Sequence, residues 1–200
     1  MATFGYCGRH PRRKPQERAA HCERVPADIA APGHQCKNTY MLIRQASRND
    51  EDAIWEIIAP VIRAGETYAI DPNISREKAL EYWLGPDRET FVAESEGAMV
   101  GTYYIRANQP GGGQHVCNCG YITSVSSTGK GVARQMHEHS LVHARSRGFR
   151  AMQFNFVISS NERAVRLWQS LDFEIVGRLP GAFQHPALGY VDAFVMYRTL

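Results

Sequence analysis

The chain lacks any apolar run approaching the ~20 residues that carry a helix across a bilayer, and its first residues hold no apolar core of the kind a secretory signal needs. A membrane partner or an export signal is not expected, and a soluble, cytoplasmic protein is. Glu17, Glu23 and Asp28 together with the prolines also argue against an organelle transit peptide. Cysteine is scarce, with five in 200 residues. Cys117 and Cys119 alternate along one strand and make a poor disulfide framework, so reduced thiols are expected. Cys7, Cys22 and Cys36 lie among His10, His21 and His34, but their spacings match neither C-x-x-C nor H-x-x-x-H, and no metal is expected. A sustained charge of one sign is missing too. Residues 1–40 hold seven basic against three acidic side chains, whereas residues 41–200 hold sixteen against seventeen. The net charge of +3 therefore belongs to the amino-terminal stretch, and a near-neutral body offers no surface for nucleic acid.

What is present is a core. Hydrophobic residues make up 44% of the chain, enough for one medium-sized domain. Residues 1–40 are rich in Arg, Pro, Ala and His and lack any apolar period, so they are expected to be a disordered leader or an upstream extension foreign to the natural protein. The domain is expected over 41–200. Met41 to Ala46 reads as a strand, and Asn49 is expected to cap a helix whose inner face is Ile54, Ile57, Ile58, Val61 and Ile62, with a kink at Pro60. Ser75 caps a second helix with Ala79, Tyr82 and Trp83 inward. A hairpin turns at Glu96-Gly97, and the polar linker 108–113 leads into a central strand from about Val116. A helix, the strand Ala151 to Val157, the helix Asn161 to Leu171 and the strands Phe173 to Arg178 and Tyr190 to Tyr197 follow. The expected class is α/β (α+β), a mixed and mostly antiparallel sheet with helices on both faces.

The chemistry starts at Thr128-Gly129-Lys130-Gly131-Val132-Ala133, between the central strand and the next helix. The first N–H groups of a helix have no partner within it, and the aligned peptide dipoles favour negative charge there. Glycines at 129 and 131 clear the side chains that would keep a pyrophosphate from those groups. The Walker pattern fails because Gly131 follows Lys130, and the dinucleotide pattern fails because Arg134 stands where a third glycine is required.

The turn resembles the coenzyme A loop of the GNAT acetyltransferases at Thr128, Gly131 and Ala133. Thr128 replaces the usual Arg or Gln, which removes one side-chain contact and leaves the backbone cradle. A second match lies at Asn161, Ala164, Leu167, Leu171, Asp172 and Phe173, and the order of elements from Met41 to Leu200 is also that of the family. The resemblance implies the GNAT fold, acetyl-CoA as co-substrate and direct N-acetylation of an amine. It implies cofactor contacts at Ile122, Thr123, Ser124, Gly129, Lys130, Gly131, Val132, Ala133, Arg134 and Asn161. Backbone of Ile122, Thr123 and Ser124 would pair with the pantetheine arm, and an N–H near Ile122 would meet the developing oxyanion. A homodimer is plausible by the same resemblance.

Two familiar residues are missing. Trp168 stands where the family has the tyrosine that protonates the thiolate, and indole cannot be that acid. The strand His115-Val116-Cys117-Asn118-Cys119-Gly120 carries no Glu base, leaving water, His115 or a low-pKa amine. Three asparagines stand instead, Asn118, Asn155 and Asn161, and they resemble the yeast L-azetidine-2-carboxylate acetyltransferases. The resemblance implies that Asn118 binds the acceptor carboxylate, the backbone beside Asn155 assists, and Asn161 positions the amine or the oxyanion. Tyr68 and Glu66 of the loop Gly65-Glu66-Thr67-Tyr68 are expected to line the acceptor pocket. The expected acceptor is a small amino-acid-like amine. Peptide N-terminal acetylation and coenzyme A binding without turnover remain the alternatives.

Overall fold

The computed structural model describes residues 41–200. The leader expected over 1–40, with its cysteines and histidines, lies outside the described residues. Seven strands and four α-helices are found among the described residues: β1 (Leu42–Gln45), α1 (Glu51–Ala64), α2 (Arg76–Leu84), β2 (Glu89–Ser95), β3 (Ala98–Ala107), β4 (Val116–Thr123), α3 (Val132–Ser146), β5 (Ala151–Ile158), α4 (Glu162–Gln169), β6 (Glu174–His185) and β7 (Gly189–Thr199). The sheet order is β1-β2-β3-β4-β5-β7-β6, and every neighbouring pair is antiparallel except β4 with β5.

Each face of the sheet buries its own core. On one side Ile54, Ile58 and Ile62 of α1 and Ala79 and Trp83 of α2 pack against Val92, Tyr104 and Ile122. On the other, Met136 and Ala144 of α3 and Trp168 of α4 pack against Tyr103, Cys117, Cys119, Met152 and Phe154. The buried Trp83 indole donates to Thr102 Oγ1 at 3.0 Å, so its one polar atom is satisfied.

Local chemistry explains the element ends. Ser75 Oγ accepts from the Lys78 N–H at 3.3 Å, as expected of a cap. The first helix starts differently from the expectation at Asn49: a 3-10 turn over Arg48–Asp50 precedes α1, and Asp50 takes the cap position. Asp50 makes no cap bond to α1 itself; its carboxylate accepts the Ser47 N–H at 2.7 Å, the return bond of a capping box that starts the helical run at Ser47, and the Arg44 Nη1 at 2.9 Å. Tyr82 is 37% exposed, and Leu80 takes the inward place beside Ala79 and Trp83. β6 continues past Arg178 to His185, because Pro180 and Gly181 form an irregularity on an edge strand rather than its end. Asp192 of β7 holds that irregularity by accepting the Gly181 N–H at 2.8 Å.

Candidate active site

The central strands part early. The ladder between β4 and β5 consists of Val116 with Ala151 and Cys117 with Met152, although β4 runs on to Thr123 and β5 to Ile158. Hydrogen-bond parity shows which edge of β4 the fork leaves free. Val116 C=O accepts from Asn108 N–H at 2.8 Å and Ser124 N–H donates to Val100 C=O at 2.9 Å, so the even-numbered residues face β3. His115 C=O, on the other edge, accepts from Arg150 N–H at 2.8 Å. Cys119, Tyr121 and Thr123 therefore present their backbone to the fork. Ile122 and Ser124, expected to offer backbone there, turn it to β3 instead, and the Ile122 side chain belongs to the α1–α2 core.

A cavity of about 1040 Å³ fills the fork. At one end it is lined by Thr128, Gly129, Gly131, Val132, Ala133 and Arg134. Gly131 occupies the cap position of α3 at φ 77°, and Gly129 has φ 85°, conformations that favour glycine. Gln135 N–H bonds back to Gly131 C=O at 3.1 Å, so the three N–H groups before it, on Val132, Ala133 and Arg134, are the ones without helical partners. Ser124 and Lys130 belong to the same connection but do not line the cavity.

The opposite end is lined by Glu66, Tyr68, Tyr82, Tyr104, Arg106 and Asn118. Tyr68 O–H donates to the Tyr121 C=O at 3.0 Å, which ties the loop after α1 to the free edge of β4. Burial pushes the phenols of Tyr68 and Tyr104 above their ordinary range, so both are neutral donors. The Tyr104 ring packs edge-on against Trp83 at 5.0 Å, with the Arg88 guanidinium 4.9 Å from its centroid. Gly120 stands directly opposite Tyr104, and a Cβ there would lie 2.6 Å from the ring. Arg106 Nη1 donates to Asp87 Oδ2 at 2.8 Å, and the hydrogen bonds from Arg88 and then Arg106 draw the Asp87 carboxyl down to about 2.

All three asparagines line this cavity, each in a different state. Asn118 Nδ2 donates to Gln153 C=O at 2.9 Å and so bridges the strands just beyond the end of their ladder. Asn155 is engaged on both sides, accepting from Gln153 Nε2 at 2.8 Å and donating to Asn108 Oδ1 at 2.7 Å. Asn161 caps α4, with Oδ1 accepting the Ala164 N–H at 3.2 Å, which leaves Nδ2 as its donor. His115 precedes β4 and does not line the cavity.

Trp168, 8% exposed, contributes to the cavity wall and packs on Tyr121 at 5.2 Å and Phe154 at 4.9 Å. Behind it runs a buried polar chain whose directions are set by its ends. Arg198 can only donate, so at 3.4 Å from His137 Nε2 it meets an acceptor, and the ring proton sits on Nδ1. Nδ1 lies 3.3 Å from Tyr121 Oη, Tyr121 O–H lies 2.6 Å from Ser140 Oγ, and Ser140 donates to His137 C=O at 2.7 Å. Burial first, then Arg198 and Arg134, pulls the His137 imidazole down to about 3.

Sequence reading missed Gly120 and Arg106 as parts of this site. Gly120 carries no motif, and its role is visible only through the ring opposite. Arg106 belongs to Tyr103-Tyr104-Ile105-Arg106, a stretch that resembles the azetidine-2-carboxylate branch, but it closes an apolar strand and carries no site role in that reading.

Residues 52–173 match the acetyltransferase (GNAT) family, and the chain belongs to it. It is an N-acetyltransferase, hence an acyl-transferring enzyme, built on the GNAT fold. The N-acetyltransferase aca1 of Schizosaccharomyces pombe is 30% identical over 151 residues, covering 67% of this chain and 72% of its own. A GCN5-related N-acetyltransferase from Kribbella flavida is 39% identical, with a TM-score of 0.76 over 80% of this chain and 98% of that one. The fold is also that of a phosphinothricin acetyltransferase from Sinorhizobium meliloti solved with acetyl-CoA, at TM-score 0.70, 22% identity and coverage of 80% and 88%. The family uses acetyl-CoA, and the turn before α3 fits its pyrophosphate: a Cβ built on Gly131 meets no atom within 4 Å, so the space over the unpaired N–H groups is open. Among the described residues no cluster of metal-binding side chains is present and no helix is long and apolar enough to cross a membrane.

Proposed function

We propose that this chain moves the acetyl group of acetyl-CoA directly to the amine of a small amino-acid-like acceptor, of the proline-analogue type. The observation that carries the reading is the single cavity that runs from the open N-terminal turn of α3, through the fork of β4 and β5, to the tyrosine-lined loop after α1. Bound acetyl-CoA supplies an activated thioester carbonyl. The N–H groups of Val132, Ala133 and Arg134 hold its pyrophosphate, and Gly129 and Gly131 let it approach. Thr123 and Tyr121 offer backbone along the fork, and the Tyr121 N–H, whose carbonyl already serves Tyr68, is the donor for charge developing on the acetyl oxygen. Asn161 Nδ2 orients the amine, and the second amide hydrogen of Asn118 reaches the acceptor carboxylate. Glu66 and Tyr68 border the acceptor. Trp168 shields the reacting centre from water but moves no proton. Orientation supplies roughly 7–11 kcal/mol of a barrier, so transfer proceeds without the missing tyrosine and glutamate, the C–N bond forming as the C–S bond breaks, with water taking the amine proton and returning one to the coenzyme A thiolate. The Tyr68 tie across the fork favours a small acceptor over an extended peptide. A cytoplasmic setting belongs to the same proposal, supported by the free thiols of Cys117 and Cys119.

Thiol release from acetyl-CoA across free amino acids, including azetidine-2-carboxylate, hydroxyproline, methionine sulfone and phosphinothricin, tests the proposal. Turnover with one or more is expected; acetylation of peptides alone, or coenzyme A binding without turnover, would overturn it. Asn161→Ser, which keeps the helix cap, is expected to lower kcat more than tenfold, and Asn118→Ala to act mainly on the acceptor KM. Wild-type kinetics in both would remove the asparagines from the mechanism.

A further inference from the structure

The geometry points to Arg106 as the residue that selects acceptors bearing a free carboxylate beside the amine. This rests on the amino-acid acceptor reading and names the group that enforces it. Three buried side-chain polar atoms among the described residues lack a hydrogen-bond partner: Arg76 Nε, Ser160 Oγ and Arg106 Nε. Of these residues, Arg106 is the one that lines the site cavity. Nε itself is closed off, but the Arg106 side chain is 33% exposed and among the described residues only its Nη1 is engaged, so the remaining guanidinium edge is open to the acceptor that suits it, a carboxylate oxygen.

Charge bookkeeping agrees. Asp87 accepts Arg106 Nη1 at 2.8 Å through one oxygen and Arg88 Nε at 2.9 Å through the other, so one carboxylate serves two guanidiniums and one positive charge is left over. Arg88 is held over the rings of Tyr82 and Tyr104, at 4.8 and 4.9 Å, which keeps Asp87 and hence Arg106 in place. Arg106 also pairs in register with Asn118, so both side chains leave the same face of the sheet, next to Tyr104 and Gly120. Glu66 brings the opposite charge to the lining of the same cavity. A cation and an anion in one lining match a zwitterion, and Asn118 becomes the neutral helper of a charged anchor.

The test uses the full chain and pairs the best free amino acid of the panel above with its own carboxamide, which keeps the amine and removes the negative charge. The wild type is expected to prefer the acid by on the order of ten- to a hundredfold in kcat/KM, the size of a lost charge-assisted hydrogen bond. Arg106→Gln is expected to lose that preference through the acceptor KM rather than kcat. Arg106→Lys keeps a positive charge for Asp87 but not the planar fork, and is expected to keep only part of it. The lysine variant decides the matter if the glutamine variant fails to fold. Equal rates on acid and carboxamide in the wild type, or an undiminished preference in either folded variant, overturn this inference and leave the acceptor reading standing. If no free amino acid is acetylated, both fall together.

Discussion

Gly120 shows how a single missing side chain shapes the cavity. The Tyr104 ring occupies the volume over it and cannot retreat, because Trp83 stands edge-on at 5.0 Å and Arg88 lies 4.9 Å from the centroid on another side. Gly120→Ala would place a methyl group 2.6 Å from that ring. The expected result is a loss of about 1–3 kcal/mol in denaturant unfolding, the usual cost of overpacking, together with a raised acceptor KM as the ring is driven into the cavity. An unchanged midpoint with unchanged kinetics would mean that the ring yields freely. Asn118 makes the same point in another way. Its amide is partly spent on Gln153 C=O, so its substitution also disturbs the fork, whereas Asn161 gives its oxygen to a helix cap and leaves its nitrogen without a partner among the described residues.

At the scale of elements, the joint between β1 and α1 depends on one carboxylate. Asp50 is 7% exposed and accepts from Arg44, from Ser47 N–H and from Ser47 Oγ, with Arg44 the leading cause of a carboxyl held well below its usual range. Arg44 also bonds Glu94 of β2, so the cluster joins the edge of the sheet to the start of the helix. Asp50→Ala is expected to cost about 1 kcal/mol in unfolding free energy, because the half-exposed Arg44 and a backbone N–H lose their acceptor. A change within 0.5 kcal/mol would assign the joint to packing alone. The sequence reading placed the cap of this joint at Asn49, whereas the helical run is started by a capping box between Ser47 and Asp50, whose carboxylate Arg44 of β1 also holds.

For the whole molecule, the chain from Arg198 through His137, Tyr121 and Ser140 links β7, α3 and the forked edge of β4. Its histidine is fully buried and neutral. The folded protein binds the imidazole proton only near pH 3, whereas the unfolded chain binds it near 6.5. This contribution to stability is therefore complete above pH 6.5 and declines as pH falls toward 3, by up to about 1.4 kcal/mol for each unit. The facing groups, Arg198, Arg134 and Tyr121, stay in one charge state over this window, and burial lowers the His139 imidazole as well, so the share of His137 is the difference between wild type and variant. Melting temperatures of the wild type between pH 7 and 4.5 are expected to fall more steeply than those of His137→Asn. Parallel curves would show that the imidazole takes up its proton without unfolding.

Much of this protein is legible in one dimension because much of it is local. The isoleucines of α1, the Ser75 cap, the Glu96-Gly97 turn and the glycines before α3 act within a few residues of themselves, so the order of elements and the glycine turn that opens α3 follow from the sequence alone. The parity of β4, which assigns the free edge to Tyr121 and Thr123 rather than Ile122, depends on a register with β3 set by long-range pairing. The clash that requires Gly120, the tie of Arg106 to Asp87, and the bridge from Asn118 to Gln153 likewise join residues distant along the chain. Only the tertiary structure decides them, because side-chain partners and free hydrogen-bonding edges are properties of neighbours in space, and a sequence specifies its neighbours in space only once it has folded.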